Sequence, residues 1–77
     1  MQKVLVECLV SKIPETLKSL EQAGFERDLT ADIKFSDKES CLIPGKIALE
    51  SREIILAIEG VVDIWPMYKY RLIKGGK

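Results

Sequence analysis

The feature that most constrains this chain is the order in which its hydrophobic period changes along the sequence. Residues 3–10 alternate, with Val4, Val6, Cys8 and Val10 on one face of a strand and Lys3, Leu5, Glu7 and Leu9 on the other. The first face is wholly apolar and the second is mixed. Ile13, Leu17 and Leu20 then recur at helical spacing. Pro14 suits the first turn of a helix, where its missing N–H costs nothing, and Gly24 suits the left-handed residue that ends one. From Phe25 to Phe35 alternation returns, Phe25, Arg27, Leu29, Ala31, Ile33 and Phe35 facing one way and Glu26, Asp28, Thr30, Asp32 and Lys34 the other. Residues 36–40 have the polarity of a hairpin loop, and a third strand over 41–47 turns Cys41, Ile43 and Ile47 inward and Leu42 and Lys46 outward. Pro44-Gly45 predicts a bulge there or an early end to the strand. Residues 49–59 read as a second helix stopped by Gly60, with a buried strand as the competing reading of its run Ile54–Ile58. Val61–Trp65 reads as a fourth strand ended by Pro66.

Strand, helix, strand, strand, helix, strand is the order of an α+β, ferredoxin-like split βαββαβ sandwich. Its four-stranded antiparallel sheet has the first and third strands central and both helices on one face. Right-handed crossovers put the two helices on the same side, so the other sheet face is predicted to be open. A chain of 77 residues is one small domain that buries only about 60% of the surface its unfolded chain exposes. The expected division is a single domain over 1–66 and a basic, Tyr-containing tail over 67–77.

Composition limits the chemistry. His is absent and Cys numbers two, which removes the usual general base and any Cys/His zinc cluster, so no catalytic residue, metal or cofactor is expected. No apolar run approaches a membrane span of about 18 residues, and the N-terminus has no signal-peptide pattern, so the chain as written reads as cytoplasmic. Asn is absent beside many Lys and Glu, a pattern resembling that of thermophile proteins. The formal charge is zero, yet residues 64–77 carry Lys69, Arg71, Lys74 and Lys77 and no acid. A neutral whole argues against a nucleic-acid module, and the central strands carry no RNA-stacking aromatic pattern.

On the open face the alternation places Leu5, Leu9, Leu42 and Trp65, which form a candidate docking patch for another protein or a second copy of this chain. In the tail, Tyr68, Tyr70 and Leu72 alternate with Lys69, Arg71 and Ile73, as an extended segment does when it pairs along a strand edge. Cys8 and Cys41 fall on neighbouring antiparallel strands on the core face, where they are either two buried thiols or a disulfide; with no His to activate them, thiolate catalysis is not expected. Glu26, Asp28 and Asp32 read as the solvated face of an edge strand rather than as an acid–base pair.

The segment Ile43-Pro44-Gly45-Lys46-Ile47-Ala48-Leu49-Glu50-Ser51, then Ile54–Ile58, then Gly60-Val61-Val62-Asp63-Ile64-Trp65-Pro66 resembles the second half of subtilisin-type protease propeptides and the related standalone inhibitors. The resemblance implies that the open sheet face packs on a subtilisin-like protease, with Val61 and Ile64 at two apolar strand positions. It also implies that the tail around Tyr68, Tyr70 and Leu72 lies in the substrate groove. Such a module inhibits or chaperones its protease without catalysis of its own, and as a processed propeptide it would be extracellular. Trp65-Pro66 departs from that family's usual acidic residues. The alternative is a homodimeric regulatory or ligand-sensing domain that pairs through the same sheet face.

Overall fold

The computed structural model describes residues 2–66, and they form an α+β unit: an antiparallel sheet of five strands with two helices. In chain order the elements are β1 (Gln2–Leu9), α1 (Ile13–Gln22), β2 (Glu26–Arg27), β3 (Lys34–Phe35), β4 (Ser40–Ile47), α2 (Arg52–Leu56) and β5 (Val61–Pro66), with short 3-10 turns leading into each helix. The strand order is β2-β4-β1-β5, and β3 pairs with β4 beside β2. β1 and β4 are therefore central, as the element order predicts.

The two central strands pair over eight consecutive positions, from Gln2 opposite Ile47 to Leu9 opposite Ser40. This register puts Val4, Val6 and Cys8 on the same face as Cys41, Ile43 and Ile47, and Ile64 joins them from β5. Leu20 of α1 and Ile55 of α2 pack into that cluster, so both helices cover one face. Pro14 sits in the first turn of α1, and Gly24, at φ +99°, supplies the left-handed residue that ends it. The second helix is shorter than its sequence pattern: a 3-10 turn over Leu49–Ser51 continues into five α-helical residues. Only Ile55 in this helix is buried, because a short helix with apolar residues at 54, 55, 56 and 58 turns only part of them inward.

Five strands replace the expected four because the long alternating segment 25–35 does not stay in the sheet. It touches β4 only at its two ends, Glu26–Arg27 opposite Gly45–Lys46 and Lys34–Phe35 opposite Cys41–Leu42. Pro44 explains the gap. In an antiparallel ladder a residue's N–H and C=O leave on the same side, and the Pro44 carbonyl accepts from Asp28 N–H at 3.0 Å. Its missing donor therefore also faces this edge. Opposite that vacant position the chain turns away, as Asp28 Oδ1 accepts from the Thr30 N–H at 2.9 Å and from the Thr30 hydroxyl. These bonds hold the Asp28 carboxyl below the usual carboxylate range.

For the same reason the predicted bulge or early stop in the third strand does not occur. Pro44 stands opposite Leu5 with its polar groups turned from β1, so β4 runs on to Ile47 without losing a bond to the central partner. Gly45 contributes a second constraint. A Cβ there would lie 2.6 Å from the Glu26 carbonyl oxygen and 2.7 Å from a Phe25 ring carbon, so the Phe25 ring packs where any side chain on residue 45 would stand.

Local bonds close the remaining turns. In the β3–β4 hairpin Asp37 Oδ1 accepts from the Glu39 and Ser40 N–H groups at 2.7 and 2.9 Å, which lowers its carboxyl pKa. At the turn into β5, Gly60 adopts φ +98° and leaves room for the buried Thr16 hydroxyl, which donates to the Glu59 carbonyl at 3.4 Å. Lys12 and Glu59 add an exposed ion pair at 2.9 Å across the same junction.

Gly45→Ala is expected to lower stability by about 1–3 kcal/mol through overpacking against Phe25. The urea midpoint measures this, and Gly45→Ala with Phe25→Leu is expected to recover part of the loss.

Candidate functional site

The site follows from the side of the sheet that the helices leave. The β1–β4 and β1–β5 registers place Leu5, Glu7 and Leu9 on this face with Leu42, Pro44 and Trp65. Among the described residues, both helices contribute their buried side chains to the opposite cluster.

Trp65 stands opposite Leu5, and its indole Nε1 donates to Glu7 Oε1 at 2.9 Å. Glu7 is the diagonal neighbour two positions along β1, so the ring runs along the Leu5–Glu7 row instead of standing free. Glu7 itself is opposite Asp63, a like-charged cross-strand pair that is unfavourable if both carboxylates meet. They are directed apart: Glu7 accepts from Trp65, and Asp63 Oδ1 accepts from the Ile64 backbone N–H at 2.8 Å. The sequence reading overlooked Glu7 as a fixed member of this face. Its signal was present, since Glu7 is the one acid within the first strand's apolar run.

The residues expected on the open patch divide into two groups. Leu5 and Leu42 are buried, at 1% and 5% exposure, and so are not displayed to a partner. In the sheet register Leu5 lies between Pro44, which is itself buried, and Trp65. Leu9 and Trp65 are half-buried and present part of their apolar surface. Tyr68, Tyr70 and Leu72 lie outside the described residues. The displayed part of the predicted patch is thus smaller than its sequence pattern. The larger exposed apolar side chains are elsewhere: Leu29 and Phe35 beside the interrupted edge, Leu49 and Ile54 on the second helical segment, and Val62 on β5.

The β5 edge is poorly suited to strand addition. Positions facing away from β1 include Ile64, whose N–H is taken by Asp63, and Pro66, which has none.

Cys8 and Cys41 are directly opposed and free, each fully buried on the helix-covered side. Burial pushes the Cys8 thiol up to about 12, with the neighbouring Cys41 and Glu7 adding to the effect, and burial also raises Cys41. Neither is an activated nucleophile. Among the described residues no group of three or more Cys, Asp and Glu side chains is arranged to hold a metal ion, and no helix is long and apolar enough to cross a membrane. A cleft of about 350 Å³ lies beside the start of β1, where Lys3 and Lys46 are cross-strand partners and Glu26 and Asp28 stand close. Its lining mixes both charges, and the half-buried Arg27 has its Nε buried with no hydrogen-bond partner among the described residues. No family model, curated protein or solved structure matches the chain.

Trp65→Phe is expected to cost about 1–2 kcal/mol by urea denaturation, since it removes a hydrogen bond to a charged acceptor. Glu7→Gln keeps the acceptor and eases the opposition to Asp63; it is expected to change stability by less than ~0.5 kcal/mol.

Proposed function

We propose that this chain is a non-catalytic protein-binding module with a ferredoxin-like, split βαβ fold. Its partner is a subtilisin-like protease that packs on the helix-free sheet face. The fold reading is supported by the order β2-β4-β1-β5, with all pairings antiparallel and β2 and β3 together taking the place of one edge strand. The non-catalytic reading is supported by the absence of His from the sequence and by thiols whose pKa values are raised.

The observation that carries the binding reading is the sidedness of the molecule. Leu20 and Ile55 bring both helices to one face, while Trp65, partly exposed, is held by Glu7 on the other. A fixed, partly exposed aromatic loses little conformational entropy on docking, which is why such residues anchor interfaces. The chain passes from Trp65 through Pro66 into residues 67–77, whose Tyr68, Tyr70 and Leu72 are the proposed groove-binding positions. With Leu5 and Leu42 sealed, the sheet-face contacts reduce to Leu9 and Trp65 and the polar groups beside them.

A second copy of this chain is the alternative occupant of the same face. The blunted β5 edge disfavours association by edge pairing there, so a dimer would also have to use Trp65.

The purified full chain is expected to inhibit a subtilisin-type protease on a small peptide substrate. Deletion of residues 67–77 is expected to weaken inhibition about 100-fold, and Trp65→Glu about tenfold, the equivalents of ~2.7 and ~1.4 kcal/mol. Digestion of the intact chain without inhibition overturns the protease reading. A sedimenting dimer that Trp65→Glu dissociates would then establish self-association.

A further inference from the structure

We propose that Cys8 and Cys41 form a reversible cross-strand disulfide between the two central strands, closed by exchange with a small-molecule disulfide. The inference rests on register and burial and is independent of any binding partner.

The two residues are direct partners in the β1–β4 ladder, and both side chains project into the helix-covered core with no solvent exposure. Their pair type follows from the neighbouring bonds. Leu9 N–H bonds to Gly60 on the β5 side and Val10 N–H to Glu39 on the β4 side, so even-numbered residues of this stretch direct their polar groups toward β4. Cys8 and Cys41 are therefore a hydrogen-bonded pair, for which the Cα separation is about 5.5 Å, inside the ~4.4–6.8 Å range of disulfides. Their Cβ atoms must draw together by roughly 1 Å or more.

This is a position where the sheet yields to that demand. The β1–β5 ladder shifts register between Glu7 and Cys8, and a bulge increases local twist. The Leu9–Ser40 pair and the Val10 N–H bond to the Glu39 carbonyl lie beyond it before the ladder ends. The residual distortion makes the bond reducible instead of inert. A raised thiol pKa and complete burial mean that exchange proceeds when this end of the ladder opens, or before the strands have paired.

The chemistry balances with oxidised glutathione as the disulfide. The Cys8 thiolate attacks one glutathione sulfur, forming a mixed disulfide and expelling one glutathione thiolate. The Cys41 thiolate then attacks the Cys8 sulfur, closing the intramolecular bond and expelling the second glutathione. Two protein thiols are oxidised, one small-molecule disulfide is reduced to two thiols, and the protons released by the cysteines are taken up by the departing thiolates.

The full chain is equilibrated in a glutathione redox buffer, once under native conditions and once in concentrated urea, then acid-quenched, alkylated and weighed intact. The ratio of intramolecular disulfide to dithiol is expected to be about 100-fold higher in native buffer, because folding has already placed the partners. By the thermodynamic cycle the oxidised chain then resists urea more strongly than the reduced chain by the same factor. Cys8→Ser and Cys41→Ser are each expected to yield only the glutathione adduct. A native ratio equal to or below that in urea overturns the proposal, and that comparison needs no variant to fold.

Discussion

The antiparallel ladder between β1 and β4 is the constraint on which the other features rest. Its register decides that Val4, Val6 and Cys8 share a face with Cys41, Ile43 and Ile47 and that Leu5, Glu7 and Leu9 share the other. A slip of one residue would exchange the faces, placing Glu7 in the core and Val6 against solvent. The helices then have one place to go. Leu20 and Ile55 bury against the apolar face, and the other side retains Trp65, Glu7 and the partly exposed Leu9.

Two adjacent residues without ordinary backbone or side-chain capacity shape the margin of the sheet. Pro44 gives up a donor on the side away from β1, and the chain opposite leaves the ladder between Arg27 and Lys34. Gly45 gives up a Cβ, and the Phe25 ring takes the space. At the far margin Asp63 occupies the Ile64 N–H and Pro66 has none to offer. Both margins thus lack a continuous row of free donors, which limits unwanted pairing.

The functional reading changes accordingly in scale more than in location. Of an apolar patch of Leu5, Leu9, Leu42 and Trp65, only an oriented indole and the separate Leu9 stay partly exposed, because Leu5 and Leu42 are buried. On the opposite face, the same ladder that builds the core sets two thiols side by side. The proposed binding and redox chemistry therefore lie on opposite sides of the same pair of strands.

The strand alternation at 3–10 and 41–47, Pro14 in the first turn of α1 and the positive-φ positions Gly24 and Gly60 were legible from the sequence, since period and turn chemistry are local properties. The sequence by itself also determined that Cys8 and Cys41 face the core and that Trp65 lies across from it. Only the tertiary structure decided which polar groups meet a partner. Residues 25–35 alternate as one strand, yet pairing depends on what β4 offers opposite each position, and Pro44 offers no donor. Leu5 reads as displayed by alternation, yet it is buried in the folded chain. Alternation specifies a direction from the strand, whereas burial is set by neighbours distant in the chain.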